Sequence, residues 1–379
     1  MTRSSLALLI SVFVLALFGL FMIYDASSYV AFRDFADKFH YIKDQTFWTI
    51  IGFSILGFAY FFDYHRFYNL ALPILIGAIF LLALVFIPGL GIKILGARRW
   101  INFGLFVLQP SEFAKIALTI YLSAWFSVKE NGRFLAFILL VGLVIGLVML
   151  QPDMGTAGII FAQSISIYFL SGGSIKHILG LTPVVGIGAI LLALFEPYRA
   201  ARLMTFLNPE SNLQGSSYHL RQILIALGSG GLFGVGLGNS LQKYAYLPES
   251  TTDSIFAIIA EEVGLFGSLI LILIFIFVIY LGFSIAANAK DKFGKILAGG
   301  ITSFIGIQAL VNLGAQTALL PLTGVPLPFI SYGGSALIVN LFSVGVLLNI
   351  AKQSYKTSST STKNIRSKKS LLKFEIPKF

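Results

Sequence analysis

A short polar stretch, Tyr246–Ser254, carries the carboxylates that are best placed for catalysis. It ends a long polar region and leads directly into an apolar run, so Asp253 would be solvated on one side and buried on the other. A carboxylate in that setting suits a general base, which takes a proton from a hydroxyl group. Thr252 or Asp253 could equally cap the following helix, because both residue types accept hydrogen bonds from the first helical amides. Glu249 supplies a second acid nearby.

Two further segments place charged groups at the start of apolar runs. Gln109–Lys115 has the features of a helix start, since proline suits the first turn and Glu112 and Lys115 lie three residues apart on one face. Gln151–Thr156 resembles a tight turn in which Asp153 caps the next helix. Each segment is consistent with a capped helix and a local ion pair, or with the lining of a polar cavity at membrane depth.

Basic residues on the same predicted side are candidates for binding an anionic substrate. Arg98 and Arg99 precede Trp100, and this trio is typical of an anchor in the headgroup region of a membrane. The alternative is a diphosphate clamp, because the fork of an arginine matches phosphate oxygens. Lys243 adds a further positive charge shortly before Asp253.

A proline- and glycine-rich stretch, Pro321–Ser335, separates the last two apolar runs. Irregular backbone at membrane depth is tolerated only where it is buried in protein or lines a cavity. Ser331 and Tyr332 in this stretch are therefore candidate substrate-binding residues.

The elements that must position these residues are membrane-spanning helices. The chain is 57% hydrophobic and only 11% charged, too little charge to solvate an ordinary soluble surface. We predict an all-α, polytopic membrane protein with ten transmembrane helices. The ten predicted crossings are Leu6–Tyr24, Phe47–Phe62, Tyr68–Ile87, Ser111–Phe126, Phe134–Leu150, Met154–Leu170, Ile178–Phe195, Ile255–Phe283, Ile296–Leu320 and Ala336–Ile350.

The distribution of charge sets the predicted orientation. The net charge of +11 is concentrated in a basic tail, residues 352–379, which we predict to be disordered, cytoplasmic and in contact with membrane lipid rather than nucleic acid. Ten crossings then place both termini in the cytoplasm, with residues 1–351 as the membrane domain. A large outer loop, about residues 196–254, lies between helices 7 and 8, and we expect amphipathic or re-entrant pieces in it. The chain has no cysteine, which excludes disulfides and thiolate metal sites.

Six motifs, in this order, resemble the SEDS (shape, elongation, division and sporulation) family, which includes RodA, FtsW and SpoVE. They are GARRWI, QPSEFAK, QPDMGTA, YRAARLMTFLNP, GLGNSLQKYAYLPESTTD and LPFISYGGS, and the resemblance extends from the first helix to about Ile350. It implies a ten-helix peptidoglycan glycosyltransferase of the bacterial cytoplasmic membrane. Such an enzyme polymerises lipid II and works with a class B penicillin-binding protein.

The resemblance also implies roles for individual residues. Asp253 falls on the acid that the family needs in its large outer loop. The other matching positions are polar residues that are functionally sensitive in the family, and a basic pair; these are Glu112, Lys115 and Asp153, and Arg98 and Arg99. GLGNSLQK is more similar to the division and sporulation branches, whereas GVPLP is more similar to the elongation branch, so the branch stays open. The sequence departs from the family pattern at Ser254, Ile223 and Ala318.

The implied chemistry is a glycosyl transfer with inversion, since lipid II is α-linked to diphosphate and the glycan is β-linked. Asp253 would act as the base. Arg98, Arg99, Lys115 or a divalent cation (Mg²⁺ or Mn²⁺) between carboxylates would neutralise the leaving diphosphate. The alternatives are a lipid II flippase and a non-catalytic scaffold for a class B transpeptidase. The six motifs disfavour a polymerase or ligase of the O-antigen type.

Overall fold

The computed structural model describes residues 3–94, 97–104, 106–128, 132–181, 204–206 and 216–371, and the single residues 183, 186, 188 and 200; for residues 94, 216 and 356–371 it describes the backbone alone. Helices dominate the described part. They are α1 (Arg3–Phe35), α2 (His40–Phe61), α3 (His65–Leu84), α4 (Pro110–Ser127), α5 (Phe134–Leu150), α6 (Met154–Leu170), α7 (Ser216–Gly230), α8 (Ile255–Asn288), α9 (Lys292–Gln316) and α10 (Gly334–Leu371).

Several of these helices have the length and composition of membrane spans. Within the described residues, α1, α3, α8, α9 and the Gly334–Tyr355 part of α10 are long and apolar enough to cross a bilayer, and α5 and α6 are shorter apolar helices. Helix α5 shows why they form: Leu135, Leu139 and Leu143 are exposed along one face, whereas Phe137 and Val141 are buried against the bundle. Apolar side chains therefore cover both the interior and the outer surface, as expected of a multi-pass membrane protein.

Nine of the ten predicted crossings coincide with helices in the part of the chain that the structure describes. The seventh, Ile178–Phe195, lies mostly on residues outside that part, and so does much of the predicted outer loop before Ser216.

Helix α10 packs along α2. A Cβ on Gly345 would lie 2.5 Å from the Leu56 carbonyl oxygen, so only glycine permits this close approach.

The structure departs from the helical prediction between α3 and α4, where three short strands form an antiparallel sheet. Strands β1 (Gly91–Ile94), β2 (Ala97–Asn102) and β3 (Val107–Leu108) lie in that order. Strand β2 contains the GARRWI arginines, and its ends alternate between buried and exposed residues, with Ala97 and Ile101 inside. This two-residue period is the signal of a half-buried strand, but at six residues it is too short to stand out beside the long apolar runs.

Helix α8 is broken at Gly264, which has φ 67° and ψ −167°. The break leaves amides without a helical partner, and a neighbouring segment of the chain replaces it. The amide of Leu265 donates to the carbonyl of Gly231 at 3.0 Å, and the amide of Phe266 donates to the carbonyl of Leu232 at 3.2 Å.

The same segment, residues 231–236, also satisfies the carbonyl side of the break. The amide of Val235 donates to the Glu261 carbonyl at 3.0 Å, and the amide of Gly236 donates to the Glu262 carbonyl at 3.1 Å. We call this the paired segment. It lies within the predicted outer loop, and it supplies the backbone partners that the break in α8 removes.

At the opposite end of the bundle, the α2–α3 turn is tied to α8, α9 and α10. The Tyr64 hydroxyl donates to Asp291, and Gln353 donates to Asp63 Oδ1 at 2.8 Å. Burial alone would raise the pKa of Asp63, but hydrogen bonds from Gln353 and His65 lower it to about 2. None of the predicted site residues takes part in these hydrogen bonds between Tyr64, Asp291, Asp63, His65 and Gln353.

Candidate active site

Asp253 lies on a tight turn immediately before α8. The amides of Thr252 and Ser254 both donate to the Glu249 carbonyl at 3.1 Å, which closes the turn. Ser254, not Thr252 or Asp253, occupies the N-cap position of α8 and makes no side-chain cap bond. The N-cap position of α8 therefore falls one residue after Asp253.

The stretch between α9 and α10 holds this turn from the side. The Ser331 hydroxyl donates to the Thr252 carbonyl at 2.5 Å and accepts from the Leu327 amide at 2.8 Å. The Tyr332 amide donates to the Thr251 carbonyl at 2.9 Å. Ser331 is buried, so the structure gives it a bond to the turn rather than an open position.

Helix α9 holds the next carbonyl. The side-chain amides of Asn312 and Gln316 both donate to the carbonyl oxygen of Asp253, each at 2.8 Å. Neither residue was predicted as part of the site. The signal that could have found them is the presence of amides within an apolar run, since polar groups at that depth need partners.

Asp253 is half-buried, and its carboxylate lies beside the Pro321–Ser335 stretch. A Cβ on Gly324 would lie 3.8 Å from Asp253 Oδ2, so the glycine side of the Pro321–Ser335 stretch faces this oxygen. The Thr252 hydroxyl lies 3.3 Å from Asp253 Oδ1 and 2.9 Å from Glu249 Oε2. Glu249 is exposed, so the turn presents two carboxylates with different access to water.

Glu112 and Lys115 lie in the interior of the bundle. Lys115 Nζ is 2.8 Å from Glu112 Oε1 and 2.6 Å from Gln308 Oε1, and the exposed fractions of both charged side chains are at most 2%. The Lys115 ammonium also lies 5.5 Å from the centre of the Phe304 ring. The predicted ion pair is confirmed, but it is enclosed by helices instead of facing an opening.

Asp153 and Arg99 meet at the start of α6. Asp153 caps the helix as predicted, accepting from the amide and hydroxyl of Thr156 at 3.1 and 2.9 Å. Arg99 donates to the carbonyls of Gln151 and Pro152, which fixes the sheet to this turn. The neighbouring Arg98 is exposed.

Contacts join this region to the turn that carries Asp253. A Cβ on Gly155 would lie 2.6 Å from the Thr323 carbonyl oxygen, and the adjacent Gly324 faces Asp253. The sheet, the start of α6 and the Asp253 turn therefore lie at the same end of the bundle.

Lys243 is buried in a triad that the sequence did not reveal. Its ammonium lies 2.9 Å from Asp25 Oδ1 and 3.1 Å from Glu262 Oε1. Burial alone would lower the pKa of Lys243, but the two carboxylates outweigh it and raise the pKa. Asp25 in an apolar helix was the missed signal, because a charge there requires a partner.

Glu261 also holds the residues that precede the Asp253 turn. Its carboxylate accepts from the Ser240 hydroxyl and from the amides of Leu241 and Gln242. Residues 240–243, which precede the Asp253 turn, are thus fixed to α1 through the half-buried Asp25 and to α8 through the buried Glu261 and Glu262. Tyr332, the last predicted site residue, donates its hydroxyl to Asp44 Oδ2 at 2.7 Å.

Across the described residues, no three histidine, aspartate or glutamate side chains lie close enough to share a metal ion. Glu249 and Asp253, linked through the Thr252 hydroxyl, are the two carboxylates of the turn.

Comparison with known proteins identifies the family. Residues 6–356 match the family model of the cell cycle proteins FtsW, RodA and SpoVE. The chain is 39% identical to the probable peptidoglycan glycosyltransferase FtsW of Geobacter sp. (strain M18), covering 89% of this chain and 94% of that protein. It is 40% identical to the stage V sporulation protein E of Bacillus subtilis (strain 168), covering 93% and 98%.

Solved structures agree with this assignment. A chain of a peptidoglycan synthase complex, described for its coordination of polymerization and crosslinking, superposes with a TM-score of 0.76 at 25% identity, covering 92% of this chain and 97% of that one. The crystal structure of the rod shape determining protein RodA of Thermus thermophilus superposes with a TM-score of 0.68 at 26% identity, covering 92% and 96%. Since both the sequence match and the fold extend over most of its length, this chain belongs to the FtsW, RodA and SpoVE family of cell cycle proteins.

Proposed function

We propose that this chain is a peptidoglycan glycosyltransferase that polymerises lipid II into β-1,4 glycan strands during cell division or elongation. Relatives that carry the name peptidoglycan glycosyltransferase are about 39% identical over most of both chains. The observation that carries the proposal is Asp253, a half-buried carboxylate on a turn held from two sides by hydrogen bonds.

In the proposed reaction, Asp253 accepts the proton of the acceptor sugar hydroxyl. The hydroxyl oxygen then forms a bond to the anomeric carbon of the donor sugar from the face opposite the diphosphate. The bond from that carbon to the diphosphate oxygen breaks, and the diphosphate leaves with the electron pair. One displacement converts the α-linkage into a β-linkage, as in the inverting glycosidases, where a carboxylate base activates the nucleophile.

The leaving diphosphate requires positive charge that substrate can reach. Arg98 is the strongest candidate, because it is exposed, whereas Arg99 is bonded to the carbonyls of Gln151 and Pro152. Lys115 and Lys243 are both bonded to buried carboxylates, so we assign them to positioning rather than to direct contact. Glu249 is exposed beside Asp253 and would bind the substrate.

The setting of this reaction is also proposed. We place the chain in the bacterial cytoplasmic membrane with ten crossings, both termini in the cytoplasm and the Asp253 turn on the outer face. A class B penicillin-binding protein is the proposed partner, in keeping with the synthase complex whose chain shares this fold. The branch, division or elongation, stays open.

The test is glycan synthesis by the purified protein from lipid II in detergent. We expect wild type to form polymer and Asp253→Asn to lose at least about 100-fold in rate, since a positioned base typically contributes about 10²- to 10⁴-fold. Asp37→Asn, which alters an exposed acid beside Lys43, should retain wild-type activity. Parallel reactions with a chelator report on a divalent cation.

A lipid II flippase and a non-catalytic scaffold make the opposite prediction. A flippase moves lipid II between the two sides of a membrane, and a scaffold is not catalytic. Neither forms glycosidic bonds, so neither would make polymer in detergent. Polymer from Asp253→Asn at the wild-type rate would remove Asp253 as the base while leaving the glycosyltransferase assignment in place.

A further inference from the structure

We propose that three buried amides of α9, Gln308, Asn312 and Gln316, are positioning residues that aim the carboxylate of Asp253. The proposal rests on the function proposed above for Asp253. The three residues are spaced four apart, so they lie on one face of the helix. All are buried, with exposed fractions of 2% or less. We call them the amide stripe.

The first argument is the geometry at the Asp253 carbonyl. Asn312 and Gln316 both donate to this one oxygen at 2.8 Å, so both of its lone pairs have a donor. The peptide plane that follows Asp253 is thereby held against rotation by two side chains from a single helix.

The second argument is that the preceding peptide plane is held as well. Its oxygen, the Thr252 carbonyl, accepts from the Ser331 hydroxyl at 2.5 Å. Peptide units are planar, so fixing the two planes that flank a residue fixes both of its soft backbone dihedrals. The direction of the Asp253 Cα–Cβ bond is then set by the protein before substrate arrives.

The third argument is that the amide stripe also holds the backbone of Val325 and Pro326, close to the Asp253 carboxylate. Asn312 donates to the Val325 carbonyl at 2.8 Å, and Gln308 donates to the Pro326 carbonyl at 3.0 Å. These carbonyls follow Gly324, which faces the Asp253 carboxylate. One helix face therefore sets the separation between the carboxylate and its neighbouring backbone.

The stripe connects to the buried ion pair. Lys115 donates to Gln308 Oε1 at 2.6 Å while it is paired with Glu112. Lys115 therefore fixes the amide of Gln308, whose other end holds Pro326. This chain of contacts explains how an enclosed ion pair would influence catalysis without touching substrate.

The test uses near-isosteric variants that remove the donors: Asn312→Leu, Gln316→Met and the double variant. Because two donors share one acceptor, we expect each single change to lower kcat by about threefold to tenfold. The double change should lower kcat by more than about 100-fold, which exceeds the product of the single effects. KM for lipid II should stay within about threefold, since the substrate contacts are unchanged.

The matched control is Asn349→Leu at the opposite end of the bundle. Asn349 is equally buried and donates to the Tyr60 carbonyl at 2.7 Å. We expect this variant to lose thermal stability to a similar degree as Asn312→Leu and to keep its kcat. An equal fall of kcat in Asn349→Leu would show that general destabilisation, not positioning, explains the effect.

Asp253→Asn in the same assay separates the two proposals. If Asp253→Asn is inactive while the Asn312→Leu, Gln316→Met double variant keeps wild-type kcat, the amide stripe does not position the base and the proposed function stands. If Asp253→Asn is fully active, the assignment of Asp253 as the base fails, and the positioning role that rests on it fails as well. A loss in the double variant that lies entirely in KM would also overturn the positioning role.

Discussion

Two lysines of this protein, Lys115 and Lys243, are buried, and the ammonium group of each is paired with carboxylate groups. Burying an ammonium group is expensive unless a charged partner and hydrogen bonds compensate for the lost hydration. Their donors are therefore committed to the protein. At the scale of residues, this leaves Arg98 of β2, which is exposed, as the better candidate for contact with a diphosphate.

Arg98 and Arg99 should respond differently to the same substitution. We expect Arg98→Ala to raise KM for lipid II by about tenfold, as the loss of one charge-assisted hydrogen bond implies, with little change in melting temperature. Arg99→Ala should lower the melting temperature, because its bonds to Gln151 and Pro152 join the sheet to α6. The measurements are steady-state kinetics and thermal unfolding in detergent; a stable Arg99→Ala protein with raised KM alone would contradict this division of roles.

The site residues that could be predicted from the sequence are charged residues that lie beside apolar runs. Asp253, Glu112, Lys115 and Asp153 were found in this way. The local partners, Lys115 for Glu112 and Thr156 for Asp153, followed from the spacing. The distant partners could not be found, since Gln308 lies 193 residues from Lys115. Neutral amides in an apolar helix carry a weaker signal than charges, and only their spacing of four on α9 would have singled them out.

At the scale of elements, the break in α8 involves Gly264 of the helix and two glycines of the paired segment, Gly231 and Gly234. Gly234 has φ +84°, and a Cβ there would lie 2.0 Å from the Glu262 carbonyl oxygen. Gly231, with φ +53°, has open space around its Cβ position. These two residues therefore differ in crowding while sharing a left-handed backbone.

Gly234→Ala and Gly231→Ala form a matched pair of variants. We expect Gly231→Ala to cost roughly 1–2 kcal/mol, the price of a left-handed conformation for alanine. Gly234→Ala should cost clearly more, since it must also displace the Glu262 backbone. Thermal unfolding of both proteins is the measurement, and equal melting temperatures would show that the paired segment tolerates a side chain.

The helices themselves were largely predictable, because a bilayer demands long apolar runs and each run is visible in the sequence. The sheet at 91–108 was missed, since two-residue alternation over six residues is a weak signal beside those runs. For residues 231–236, the sequence predicted only re-entrant structure somewhere in the loop. Their pairing with α8 was not predictable, because it joins backbone groups and no side-chain pattern indicates it.

At the scale of the whole molecule, the two ends of the bundle are chemically distinct. One end carries the Asp253 turn, the sheet and the Lys243 triad. The other carries the Tyr64–Asp291 contact and the bond between Gln353 and Asp63. We predict that the first end faces outward and the second faces the cytoplasm.

The absence of cysteine makes this orientation directly testable. Lys38→Cys and Lys290→Cys change exposed lysines at the two ends. In intact cells, a membrane-impermeant thiol reagent should label Lys38→Cys and leave Lys290→Cys unlabelled, and both should react once the membrane is dissolved. The reverse pattern would invert the proposed topology.

The break at Gly264 has a consequence for how the protein is made. The paired segment precedes α8 in the chain, so it leaves the ribosome before the groups that it must satisfy. If α8 entered hydrocarbon alone, the amides of Leu265 and Phe266 would meet lipid without acceptors, each at a cost of several kcal/mol. We therefore expect the insertion machinery to release α7, the paired segment and α8 together, as one hairpin.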